Sequence, residues 1–206
     1  MKTTKVLLLT STSALVAGVA RGSVLYSGVI NDTLTGTNAY QLDLNQDGTT
    51  DFTIRFDGLS TPNNNKPFVD SRTTNPNAFS LGYTNNGVPV TPAGTAIGAN
   101  YAATYPANTV GYLYEEYNGA AVVGDWSSTA VTDGYVGLEL NNGTSTDFGW
   151  VQLIYDPTAA TPSLTVVDYA YETTPGVDIV TGVPEPATIA LAGAGAALML
   201  LCRRKK

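Results

Sequence analysis

The run Asp43-Leu44-Asn45-Gln46-Asp47-Gly48-Thr49-Thr50-Asp51 is the stretch best equipped for chemistry. Oxygen-bearing side chains at its first, third, fifth and ninth places, with glycine at the sixth, follow the opening of an EF-hand-type calcium loop. Alternation turns Asp43, Asn45 and Asp47 to one side and Gly48 permits the turn. The Thr49 carbonyl takes the seventh place and Asp51 closes the arc. On that reading Asp43, Asn45, Asp47, Thr49 and Asp51 hold Ca²⁺. The twelfth place is Ile54 rather than Glu, and the flanks read as strands, so the loop is no EF-hand and its affinity is expected to be modest. The same residues also make an Asx-rich hairpin turn with Asp47-Gly48 at its corner. Both readings stand on the sequence alone.

Other chemistry is scarce. The chain has no histidine, which excludes Ser-His-Asp and Cys-His catalysis, His-ligated zinc and imidazole acid–base work. The one cysteine, Cys202, lies four residues before the end, so no disulfide or thiol chemistry is expected in the body of the chain. Glu115 and Glu116 stand beside Tyr112, Tyr114 and Tyr117 and suggest a glycosidase pair. Neighbours on a strand point to opposite faces, however, so the two acids cannot serve one site. No catalytic residue is expected. Tyr112, Tyr114 and Glu116 share a face that suits carbohydrate binding or simple packing, and Trp150 reads as a core anchor rather than a sugar platform.

The elements that must position these residues read as all-β. Runs rich in Val, Tyr, Thr, Phe and Ile recur between Gly, Asn, Asp and Pro punctuation. Strands are expected at Val24–Ile30, Ala39–Leu44, Phe52–Asp57, Ala78–Tyr83, Val110–Glu116, Tyr135–Leu140, Phe148–Tyr155 and Ser163–Tyr171. Phe52, Ile54 and Phe56 alternate with Asp51, Thr53 and Arg55, and Val136, Leu138 and Leu140 share one face. Short antiparallel strands over a chain of this length predict a β-sandwich, jelly-roll-like or lectin-like. Residues 59–107 hold six of the eleven prolines and are expected to form long surface loops with one or two short strands. Residues 161–182 are read as a last strand followed by the start of a linker.

Charge is partitioned sharply. Residues 23–186 carry all seventeen acids against only Arg55, Lys66 and Arg72, a net charge of −14. Such a domain repels nucleic acid and anionic lipid and attracts divalent cations and basic surfaces.

Both ends read as addresses. Lys2 and Lys5 precede an apolar Val6–Ala20 stretch, a secretory signal peptide over residues 1–22 with cleavage after Gly22 or after Ala20. At the other end Val183-Pro184-Glu185-Pro186 is followed by the uncharged segment 187–202 and by Arg203-Arg204-Lys205-Lys206. Sixteen helical residues reach roughly 24 Å, a marginal span that snorkelling cations and bilayer thinning can accommodate. The basic tail is expected to stay cytoplasmic, with residues 23–182 as an ectodomain on the far side. Each proline lacks an amide donor, and the one after Glu185 disfavours helix there, so the acid stays extended and accessible to a protease.

The order of motif, apolar segment and basic stop over residues 183–206 resembles the PEP-CTERM sorting signal of Gram-negative bacteria. A strand of the type Tyr135-x-Gly137-Leu138 before Phe148-Gly149-Trp150-Val151 resembles a pattern of PEP-CTERM ectodomains. The Asp43–Asp51 run is similar to Asp-x-Asn-x-Asp-Gly loops between strands of exported bacterial proteins. The resemblance implies an exported, non-enzymatic protein held transiently in the inner membrane and processed by an exosortase-type membrane protease. It also implies a mature form at the cell surface or in the extracellular matrix, in company with exopolysaccharide or biofilm. A calcium-dependent carbohydrate-binding module on the cell surface is the alternative.

Overall fold

β-branched and aromatic runs bounded by turn residues fold into strands because their side chains pack well on a pleated surface. The computed structural model describes residues 23–56, 66–82, 87–117, 120–141 and 143–182. In the first half of the chain these form β1 (Val24–Tyr26), β2 (Asp32–Thr35), β3 (Ala39–Leu42), β4 (Phe52–Phe56), β5 (Pro67–Asp70), β6 (Ala78–Leu81) and β7 (Ala96–Ile97). The helix α1 (Ala99–Thr104) follows, then β8 (Ala107–Asn108), β9 (Val110–Tyr112), β10 (Glu115–Tyr117) and β11 (Ala120–Val123). Three long strands, β12 (Thr132–Asn141), β13 (Thr146–Asp156) and β14 (Ser163–Glu172), precede the short β15 (Ile179–Val180). Every pair of named strands is antiparallel, in keeping with the all-β expectation.

A seven-stranded sheet runs β1-β14-β13-β12-β6-β8, with β2 also on β14; β3-β4-β5-β9 form a second sheet, and β10-β11 and β15-β7 are two-stranded. The two larger sheets contribute to one buried cluster. Leu42, Phe52, Ile54, Phe56 and Val69 from the smaller sheet join Val136, Leu138, Leu140, Val151, Leu153 and Tyr155 from the larger. Burying one such side chain fully is worth about 1.5–3 kcal/mol, so this shared layer is the main apolar contribution to stability.

β14 shows how a break in alternation is resolved. Leu164 and Val166 face the shared cluster, and so do Tyr169 and Tyr171, although the two pairs differ in parity. The register steps from Leu153↔Val166 to Gln152↔Asp168, leaving Val167 as the extra residue of a bulge. The Val167 carbonyl instead accepts the amides of Ile30 and Asn31. There the N-terminal segment kinks, with Gly28 and Asn31 at positive φ, and divides between β1 and β2. Of the expected strand Val24–Ile30 only Val24–Tyr26 forms, and the chain pairs again as β2 beyond the kink. Asp-Thr-Leu-Thr of β2 went unrecognised because an edge strand with one apolar residue carries no hydrophobic pattern.

The opposite face of the large sheet is covered too. Tyr135, Phe148, Trp150 and Ala170 pack with Ile97 of β7 and Ile179 of β15, and α1 lays Tyr101, Ala102 and Tyr105 against them. This overturns two expectations. Residues 59–107 contain β5, β7 and α1 beside the expected β6, and Ile179–Thr181 is part of the fold rather than the start of a linker, with Thr181 wholly buried. Elements of two to six residues are too short to show a period, and only their contacts stabilise them. Among the described residues no helix is long and apolar enough to cross a membrane. The predicted signal peptide 1–22 and the apolar segment 187–202 lie outside them.

Candidate functional site

The Asp43–Asp51 loop joins β3 to β4, whose pairing ends at Leu42↔Phe52 and is extended by the Asp51 amide donating to the Leu42 carbonyl at 2.9 Å. Two residues take the left-handed region, Gln46 at φ 58° and Gly48 at φ 90°. Gly48 bears that without steric cost; Gln46 needs the loop to hold it there. The hold comes from side-chain oxygens. Asp43 accepts the amides of Asp47 at 3.1 Å and Gly48 at 2.7 Å, and Asn45 Oδ1 accepts the same Asp47 amide at 3.1 Å. Asp47 accepts the Thr49 amide at 2.8 Å and the Asn45 side-chain amide at 3.1 Å. The Thr49 hydrogen bond leads in drawing the Asp47 carboxyl below its usual range.

The alternation expected for Asp43, Asn45 and Asp47 does bring the three together. Asp51 behaves differently. It is 1 % exposed, and its two oxygens accept the Leu44 amide at 2.9 Å and the Asn75 side-chain amide at 2.7 Å. Burial pushes its carboxyl up despite those donors. Asp51 thus ties the loop to the turn before β6, while Leu44 plugs the core above Gly149, where an added Cβ would meet both Leu44 methyls. Asn75 is a part of this site that the sequence did not signal, since its partner lies twenty-four residues away. All seven side-chain oxygens of Asp43, Asn45, Asp47 and Asp51 accept a protein hydrogen bond. Among the described residues no three His, Cys, Asp or Glu side chains are grouped to share a metal ion.

The described side chains of Tyr112, Tyr114 and Glu115 do not form one exposed platform. Tyr114 is buried in the shared cluster, and the Tyr112 ring packs tilted against buried Phe68 at a centroid distance of 5.6 Å. Glu115 is ion-paired to Lys66 at 2.6 Å, which removes it as a free carboxylate. Trp150 is wholly buried, its indole N–H donating to the Val180 carbonyl at 3.1 Å, so it is the core anchor that was expected.

The sorting residues Val183, Pro184, Glu185 and Pro186 and the basic stop Arg203, Arg204, Lys205 and Lys206 lie outside the described residues. The fold does reach their doorstep. Ile179 and Val180 pair with β7, and the Thr181 hydroxyl donates to the Pro92 carbonyl at 2.8 Å, so the chain is fastened up to the residue before the matched segment. A family model, the PEP-CTERM protein-sorting motif, matches residues 182–206. The chain carries a PEP-CTERM sorting motif. Comparison with curated proteins and with solved structures found no match for the chain. The PEP-CTERM motif implies exosortase-dependent sorting of an exported protein whose precursor is anchored in the membrane.

Proposed function

We propose that this is an exported, non-enzymatic surface or extracellular-matrix protein whose β-sandwich ectodomain, residues 23–182, is released by an exosortase-type protease at Pro184–Pro186. The match of the PEP-CTERM model to residues 182–206 carries this reading. The sandwich is supported by the buried cluster that both larger sheets feed. A structural role is supported by the lack of histidine and by the engagement of Asp51, Asp70 and Glu115 in hydrogen bonds or ion pairs. On this reading the mature protein works in company with exopolysaccharide or biofilm, and a signal peptide over residues 1–22 would start the export.

The decisive experiment is the intact mass of the mature protein recovered from cell surface and medium. A C-terminus between Pro184 and Pro186, absent in Glu185→Ala, is the expected outcome. A mature chain that stays in the membrane and keeps Arg203 to Lys206 overturns the reading.

A second reading, the calcium-dependent carbohydrate-binding module, is favoured by one observation: Asp43 Oδ1 and Asn45 Oδ1 converge on the Asp47 amide. Those oxygens, with Asp47 and the Thr49 carbonyl, would hold Ca²⁺, while Asp51 braces the loop from inside. Calorimetry of the full-length chain with calcium, beside Asp43→Ala, tests it. The reading predicts a heat lost in the variant and glycan retention abolished by chelator; no heat and no thermal stabilisation by calcium remove the site.

A further inference from the structure

On the face of the large sheet covered by β7, α1 and β15 there is a cavity of about 380 Å³. Glu139 of β12 and its register partner Phe148 of β13 form one side of it. Ala102 of α1 and Pro175 from the turn after β14 add apolar walls, and Ser145 and Thr146 add two hydroxyls. Glu139 is only 9 % exposed. Among the described residues its carboxylate has neither a hydrogen bond nor an ion pair, and burial alone pushes its pKa up.

That sets it apart from the other buried acids. Asp51 accepts two amides, Asp70 is gripped by Arg72, Asp147 and Asp168 each accept a tyrosine hydroxyl, and Glu172 accepts the Thr174 amide. The Glu139 oxygens are not sealed from solvent, but a carboxylate largely taken out of water without a protein partner loses hydration that a bound cation would return. Among the described residues no basic side chain lines the cavity.

We propose that this cavity binds a small ligand bearing a primary ammonium group, with Glu139 as the counter-ion. Phe148, Ala102 and Pro175 take the carbon skeleton, and the Ser145 and Thr146 hydroxyls take its polar edge. The volume lies at the lower end of ligand pockets, roughly 300–1,000 Å³, and suits one amino sugar or a short diamine. The surplus of acids over residues 23–186 concentrates cations around the domain. An amino-sugar residue of a polysaccharide and a free polyamine offer the same chemistry. The proposal goes beyond sorting and does not depend on it.

Isothermal titration of the full-length chain in detergent with methyl glucosaminide, its N-acetylated counterpart and cadaverine tests the assignment. Binding of at least one amine, no binding of the N-acetyl sugar and a loss greater than about tenfold in Glu139→Gln are expected, since a hydrogen bond to a charged group contributes about 1.5–3 kcal/mol. Glucosaminide alone points to a polysaccharide source and cadaverine alone to a polyamine, while binding of both marks a general ammonium site; each supports the proposal. Equal binding of amine and N-acetyl sugar, an unchanged affinity in Glu139→Gln, or no heat with either amine overturns it.

Should Glu139→Gln fail to fold, the wild-type pH profile decides. Binding must weaken on acidification as Glu139 takes up its proton. The titratable groups on the surrounding elements, among the described residues, are Tyr101 of α1, hydrogen-bonded to Thr91, Tyr105 at the end of that helix, Asp178 against Gly98 at its start, and Glu172 of β14, held by the Thr174 amide. A flat profile across mildly acidic pH sinks the proposal. C-terminal processing in Glu139→Gln stays as in the wild type, so this inference and the sorting reading fail separately.

Discussion

At the scale of single residues, the loop that looks most like a metal site is governed by one buried acid. Asp51 satisfies the Leu44 amide and clasps Asn75. Replacing it with alanine strands a buried donor, and Asp51→Ala is expected to cost about 1–3 kcal/mol in chemical unfolding. Asp43→Ala, at the solvent side of the loop, should cost less. Asp168 sets a pH dependence. Burial raises its carboxyl above the ordinary value of 3.8, although the Tyr26 hydroxyl donates to it at 2.7 Å. The folded chain therefore holds that proton more tightly than the unfolded chain. Its favourable contribution is full below the unfolded pKa and is lost as pH rises through the folded one. Between pH 4 and pH 7 the stability of Asp168→Asn should gain on the wild type, as measured by thermal unfolding midpoints; a constant difference would show that Asp168 does not titrate in that window.

Among the elements, two glycines set how closely the layers approach. Gly137 sits under Tyr101 of α1, where a Cβ would lie 3.0 Å from the ring, and Gly149 backs onto the Ala170 carbonyl at 2.7 Å. This gives the Tyr-x-Gly-Leu and Phe-Gly-Trp strands a physical cause, because only a residue without a side chain lets both faces of one sheet be covered so tightly. A flexible ring can yield at Gly137, but a backbone oxygen cannot at Gly149. Gly149→Ala is expected to destabilise by about 1–3 kcal/mol, more than Gly137→Ala, in denaturant titrations. The Val167 bulge is the other device at this scale, since it restores the inward face of β14 after the alternation slips.

For the whole molecule, the main consequence lies where the fold meets the sorting segment. Ile179 is 2 % exposed, and Val180 takes the Trp150 indole hydrogen bond. A chain ending at Gly182 should therefore keep the unfolding midpoint of the longer protein. One ending at Val177 should lose at least about 2 kcal/mol, in the range for emptying a buried isoleucine site. Calorimetric scans of the two truncations check this, and equal midpoints would show that β15 is dispensable. Cleavage at Pro184–Pro186 leaves β15 intact, so processing there releases the domain whole.

The sequence by itself determined the parts that depend on local order. The composition and alternation of Phe52–Phe56, Val136–Leu140 and Phe148–Tyr155 were enough for an all-β, antiparallel chain, because side-chain period follows directly from strand geometry. The sorting motif was legible for the same reason, being a contiguous run of residues read in order. Tertiary structure alone decided which strand faces were wet. Glu139 reads as the solvent side of a half-buried strand until α1, too short to announce itself, and the turn after β14 close around it. It alone also decided that Asp51 turns inward to Asn75 and that the chain stays folded up to Gly182. Those outcomes rest on contacts between distant residues, whose free energy exists only once the sheets are packed.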